Sequence, residues 1–241
     1  MIKFNNSYQK LIEKLIEENN LHRRTVEFHL LNTYNLGLAE KNPTYKQLLG
    51  DTAPENINLP DGWPVALWLS IINRSFVRQI RGSDLLRALV VGAKDNSHFF
   101  LGSTNETLSA LEKHLQTLNP SAKLSGFVSP SFEDSTDSWL PQFTEYLKNR
   151  KVDFLWVGLG TPKQDYVARF IANSNLDVKG VFAVGAAFDF IAGTKKEVQP
   201  LIRKLGLEWL HRLLIEPKRL WKRYTIYQIY FIIAVLKRSF R

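Results

Sequence analysis

The chain has 241 residues, 44% of them hydrophobic, enough for a buried core in one large or two small domains. It has no cysteine, which excludes disulfides, thiolate catalysis and Cys-ligated zinc. The net charge of +9 is carried by residues 195–241, where twelve Lys and Arg face three Glu, so residues 1–194 are neutral and the tail is suited to a membrane surface or a polyanion. A solvated charged helix is the plainer alternative. The opening MIKFNNSYQK lacks the apolar stretch of a secretory signal, so a cytoplasmic location is expected.

In chain order, Ile57–Leu59 is a short apolar run that stops at Pro60, Asp61 and Gly62. Phe99–Leu101 ends at Gly102; Ser103 and Glu106 then stand at capping-box spacing ahead of Leu108, Leu111, Leu115 and Leu118, which predicts strand, turn and helix. Phe154–Val157 ends at Gly158, and Gly160, Thr161 and Pro162 open a helix carrying Val167, Phe170 and Ile171. Val181–Val184 is the next strand, followed by Gly185, Ala186, Ala187, Asp189 and Gly193, small residues around one carboxylate where backbone can approach a ligand. This alternation predicts an α/β fold, a mostly parallel sheet covered by helices, with ligands beyond the carboxyl ends of the strands.

The tail divides at Pro217, which disfavours helix at Glu216. Upstream, Leu205, Trp209, Leu213 and Leu214 share a face, with Lys204, His211 and Arg212 off it. Downstream, Tyr224–Leu236 is an uncharged run between Lys222 and Arg223 on one side and Lys237, Arg238 and Arg241 on the other. A spanning helix needs about 20 apolar residues, so this run fits a helix lying in the headgroup region, or one whose apolar face packs on the body or on a second copy.

Glycine turns entering helices suit a diphosphate, but neither the dinucleotide fingerprint nor a Walker loop is present, since Gly158-Leu-Gly160 continues Thr-Pro-Lys163. No two aspartates are separated by one residue, so the Asp-x-Asp pair of many metal-dependent sugar-nucleotide enzymes is missing. The five histidines, His22, His29, His98, His114 and His211, lack ligand spacing and read as surface or helix-face residues. A phosphate leaving group would have to be neutralised by arginine and lysine.

Six ordered motifs carry a family resemblance: Thr33-Tyr-Asn35, Leu59-Pro-Asp61-Gly62, Gly82-Ser-Asp84, Val157 to Gln164, Val184 to Gly193, and Gly206 to Arg212 with Glu216-Pro-Lys-Arg219-Leu. The chain resembles the WecG/TagA/CpsF family of bacterial glycosyltransferases from about Thr33 to Tyr224. The resemblance implies a Rossmann-like catalytic domain over 1–194 and a helical, basic, amphipathic appendage over 195–241 that reaches both membrane and active site. It implies inverting, metal-independent transfer of a sugar of N-acetylmannosamine, N-acetylmannosaminuronate or glucose type. The donor would be a UDP-sugar, with no further cofactor. The acceptor would be a polyprenyl-diphosphate-linked sugar in bacterial surface polysaccharide synthesis. The protein would sit peripherally on the inner face of the cytoplasmic membrane, without nucleic acid; a homo-oligomer is left open.

By position, the resemblance makes Asp61 the general base. Thr33, Asn35, Gly62, Asp84, Gly102, Gly158, Gly160, Pro162, Lys163, Gln164, Gly185 and Asp189 become substrate-binding positions, and Arg212, Arg219 and Arg223 the cations for the leaving group. Read without it, Asp61 is an Asp-Gly turn and the polar positions are caps. The chain also departs from the pattern. Gln79 stands where members usually carry arginine, with Arg78 and Arg81 nearby; Asp165-Tyr166 follows Gln164 in place of a Glu-x-Trp type sequence; and Lys222 replaces a frequent arginine. A non-catalytic membrane adaptor and a nucleic-acid binder are the competing classes.

Overall fold

The computed structural model describes residues 1–5, 25–50, 56–93, 95–130, 136–199, 202 and 206–240. Six strands, β1 (Val26–Leu31), β2 (Asn56–Pro60), β3 (Ser97–Gly102), β4 (Lys123–Val128), β5 (Phe154–Gly158) and β6 (Gly180–Ala183), form one all-parallel sheet in the order β2-β1-β6-β5-β3-β4. The four expected strands are β2, β3, β5 and β6. Their apolar runs are buried on both faces, as a parallel sheet between helix layers requires.

The helices are α1 (Thr33–Lys41), α2 (Pro43–Gly50), α3 (Trp63–Asn73), α4 (Gly82–Gly92), α5 (Asn105–Leu118) and α6 (Thr136–Lys148), followed by α7 (Lys163–Ala172), α8 (Ala187–Ile191), α9 (Glu208–Ile215), α10 (Pro217–Tyr224) and α11 (Ile226–Leu236). On one face α4, α5 and α8 pack on Phe28, Phe100, Trp156 and Phe182, with Trp156 and Phe182 stacked at 4.4 Å. On the other, α6 and α7 pack on Phe99, Leu101, Leu155 and Val157. The cap of α5 falls one residue later than the spacing predicts: Thr104 accepts from the Thr107 N–H, while Ser103 takes a positive φ of 61° in the turn.

A third cluster ties the C-terminal helix to the body. Phe231, Ala234 and Phe240 are buried with Ile2, Leu31, Leu36 and Tyr45, so α11 lies along α1. Gly37 makes that approach feasible, because a Cβ there would collide with the Tyr227 carbonyl. Glu40, whose side chain is 6% exposed, then clamps the far end, accepting from Lys237 (2.8 Å), Lys46 (2.7 Å) and Ser239 (3.1 Å). Burial alone would raise its pKa, but these donors outweigh it and hold it down at about 2. The break at Pro217 is present, between α9 and α10. The upstream face is not buried: Trp209 and Leu214 of α9 are exposed, and Leu205 lies outside the described residues.

Candidate active site

The order of connection reverses between β3 and β5, β3 leading outward to β4 and β5 leading the other way to β6. The helix after β3, α5, covers one face, and the helix after β5, α7, covers the other, which opens a crevice beyond the strand ends. Gly102 and Gly158 are paired in register at its floor, and Gly102 adopts φ 120°, where a Cβ would lie only 2.6 Å from the Gly158 carbonyl oxygen. Any side chain there would force the two strand ends apart. The crevice is a cavity of about 660 Å³ lined by the segments after β1, β2, β3, β5 and β6 and closed by α9 to α11.

Asp61 lies one residue past β2, and its N–H donates to the Leu31 carbonyl (2.9 Å), which extends the ladder to the cavity wall. Burial comes first in raising its pKa to about 6, and the Glu208 charge adds to it, while Arg212, Arg81 and the Asn32 amide pull the other way. A carboxylate held there is poised to take a proton near neutral pH.

The appendage supplies cations to the same cavity. Arg212 lines it, donating to Glu208 (2.5 Å) with its guanidinium 4.7 Å from the Phe190 ring centroid. Arg223 also lines it, 4.3 Å above Tyr34. Arg212 and Arg223 are therefore each placed by an aromatic ring of the body. Arg219 is on α10, but its side chain lies outside the described residues.

A buried polar chain backs the wall. His29 Nδ1 contacts Asp165 (2.8 Å) and Nε2 contacts Glu27 (3.2 Å); Tyr45 donates to Asp165 (2.7 Å), and Asn35 donates to Tyr45 (2.9 Å) and Thr161 (3.0 Å). Burial would lower the His29 pKa, but the two carboxylates outweigh it and hold it at about 9. Asp165, unusual in the sequence pattern, is thus the partner of His29 and Tyr45. His29 and His98, expected at the surface or on helix faces, are instead fully buried on strands; Trp156 bonds His98, and burial pushes its pKa down to about 4.

The cavity gathers Asp61, Thr33, Gly62, Gly158, Gly160, Gln164, Gly185, Asp189, Arg212 and Arg223. Thr33 accepts from Gln228 of α11 (2.7 Å), and Asp189 pairs with Lys195 (3.0 Å). Gln164 is buried, with Nε2 on the Ala183 carbonyl (3.3 Å) and Oε1 without a hydrogen-bond partner among the described residues. Five positions sit elsewhere. Asn35 is fully buried behind the wall, Asp84 is exposed and paired with Arg87 (3.7 Å), and Pro162 and Lys163 line a separate cavity beside α7. Gly102 is beneath the floor. The sequence reading passed over Asn32, Glu208 and Gln228 as site residues; Gln228 meets Thr33 across 195 residues, and nothing local signals that contact. Among the described residues no group of three or more His, Asp or Glu is placed to hold a metal.

A parallel α/β sheet whose switch-point crevice is lined by arginines and by one carboxylate with a raised pKa defines a Rossmann-like α/β protein with a candidate ligand site at its strand ends. Residues 1–241 match the Glycosyl transferase WecG/TagA/CpsF family, and the chain belongs to it. It is therefore a glycosyltransferase. It is 27% identical over 222 residues to an N-acetylglucosaminyldiphosphoundecaprenol N-acetyl-beta-D-mannosaminyltransferase of Staphylococcus aureus (strain NCTC 8325 / PS 47), covering 87% of this chain and 84% of that one. A protein of the same name from Bacillus subtilis (strain 168) is 28% identical over 172 residues, 70% of this chain and 64% of its own.

Proposed function

We propose that the chain moves a sugar, of N-acetylmannosamine type by analogy with those relatives, from a UDP-sugar to a polyprenyl-diphosphate-linked N-acetylglucosamine, with inversion and without a metal, in surface polysaccharide synthesis. The observation that carries the reading is the cavity in which the Asp61 carboxylate shares its electrostatic environment with Arg81 and Arg212. Asp61 takes the proton of the acceptor hydroxyl as that oxygen bonds to the anomeric carbon. The bond from that carbon to the diphosphate oxygen breaks, and UDP leaves with the electron pair. Single displacement inverts the centre. Arginines that meet the growing charge on the diphosphate stabilise the transition state more than the ground state. Gln164, whose Oε1 has no partner among the described residues, and Thr33 offer hydrogen bonds to sugar hydroxyls.

A lipid-linked acceptor calls for a membrane surface. Leu214, Ile215, Trp221, Ile229, Ile232 and Leu236 of the tail are exposed beside the exposed cations Lys218 and Lys222. No helix among the described residues is long and apolar enough to cross a membrane, and α11 is about 16 Å long against a core of about 30 Å. The proposed association is therefore interfacial, on the cytoplasmic face. Family membership favours catalysis over the adaptor and nucleic-acid readings.

The test is UDP release from a panel of UDP-sugars with a short-chain polyprenyl-diphosphate N-acetylglucosamine acceptor. Release with UDP-N-acetylmannosamine, undiminished by EDTA, is the expected result. Release only on adding magnesium or manganese would sink the metal-free part, and no release with any donor would sink the whole.

A further inference from the structure

The segment ahead of α4 brings a cation to the cavity at a position where the family resemblance does not lead one to expect it. The Ile80 N–H donates to the Pro60 carbonyl (2.8 Å), which fixes Gln79 and Arg81 beside the strand end that carries Asp61. Gln79 and Arg81 both line the cavity, whereas Arg78 is exposed and does not. The Arg81 side chain is only 11% exposed, and its Nη1 makes no hydrogen bond among the described residues.

Its carboxylate partners are both held more tightly by other residues. Arg81 Nη1 is 3.7 Å from Glu197 and Nη2 is 3.6 Å from Glu208, distances of ion pairing without a hydrogen bond. Glu197 accepts from Arg87 at 3.1 Å, and Glu208 accepts from Arg212 at 2.5 Å. Arg81 is thus a largely buried guanidinium with donor capacity left over, at a cavity wall. A buried donor left unmet is costly until a ligand meets it, and a planar fork of N–H groups matches phosphate oxygens.

We propose that Arg81 binds a substrate diphosphate, supplying from the residue before Gly82 the guanidinium that the family resemblance leads one to expect at the position of Gln79. The assignment rests on the glycosyl-transfer reading above. Two diphosphates enter that reaction, one in the UDP donor and one in the lipid-linked acceptor, and Arg81 would serve either by the same chemistry. As the bond to UDP breaks, negative charge grows on the donor diphosphate, so an arginine on that side also raises turnover.

The experiment measures calorimetric Kd for UDP and for uridine, and KM for the polyprenyl-diphosphate acceptor, in wild type, Arg81→Gln, Arg81→Lys and Arg81→Gln with Gln79→Arg. An Arg81→Gln loss of tenfold or more in UDP affinity, with uridine unchanged, places the donor diphosphate on Arg81. A comparable rise in acceptor KM with UDP affinity unchanged places the acceptor diphosphate there. In either case Gln79→Arg recovers most of the loss, which a merely structural role of Arg81 would not allow. Should Arg81→Gln fail to fold, Arg81→Lys is read in its place, with a loss of several-fold expected because the charge stays and the fork goes. Unchanged UDP affinity and acceptor KM, a loss equal for UDP and uridine, or a loss untouched by Gln79→Arg overturns the proposal. Wild-type protein that binds neither UDP nor acceptor would instead overturn the function on which the assignment rests.

Discussion

A general base must be ionised before it accepts a proton, and Asp61 is held at about 6, raised first by burial and then by Glu208. Below that value kcat/KM should climb about tenfold per pH unit, and above it level off. Glu208→Gln removes the neighbouring negative charge, so the break should move to lower pH. A pH–rate profile flat from pH 5 to 8 would count against Asp61 as the base. Stability follows the opposite sign. Because the folded pKa lies above the unfolded one, the stability Asp61 contributes is fully present below the unfolded value and is lost as pH rises through about 6. Asp61→Asn should therefore melt higher than wild type at pH 7 to 8, as thermal denaturation would report.

At the scale of elements, α11 has two faces with different tasks. One packs Phe231 and Ala234 on α1, where Gly37 admits the Tyr227 backbone, and carries Gln228 to Thr33. Gly37→Ala should cost about 1–3 kcal/mol, the usual penalty of overpacking, measured as a lower midpoint in urea; an unchanged midpoint would show that α11 does not bear on the body at this point. The other face presents Ile229, Ile232 and Leu236 to solvent. Replacing these three with serine should leave the melting temperature within about 2 °C of wild type while lowering sedimentation with anionic liposomes, since exposed side chains add little to folding. Unchanged sedimentation would move the membrane contact elsewhere.

At the scale of the molecule, what could be read from the sequence followed from how each strand is buried. β2, β3, β5 and β6 announce themselves as apolar runs closed by Pro or Gly. β1 was hidden because Glu27 and His29 interrupt its apolar run, and these are the residues that meet Arg169 and Asp165 on α7. β4 was hidden because it is a half-exposed edge strand, with Gly126 opposite a register shift in β3. Asp61 and Arg212 were found through the ordered motifs, not through local chemistry, since an Asp-Gly turn and a helical arginine are commonplace. Arg81 could be named only as a neighbour of Gln79, on a par with Arg78, because only the fold turns Arg81 and not Arg78 toward the cavity. The claim joining these scales is that the parallel sheet delivers the Asp61 carboxylate to a crevice lined by arginines and closed by the C-terminal helices. Its most direct test is turnover of Asp61→Asn with the active donor and lipid-linked acceptor, alongside UDP affinity by calorimetry. The account predicts turnover on the order of a hundredfold lower with UDP affinity unchanged, as for a lost general base; near-wild-type turnover would contradict it.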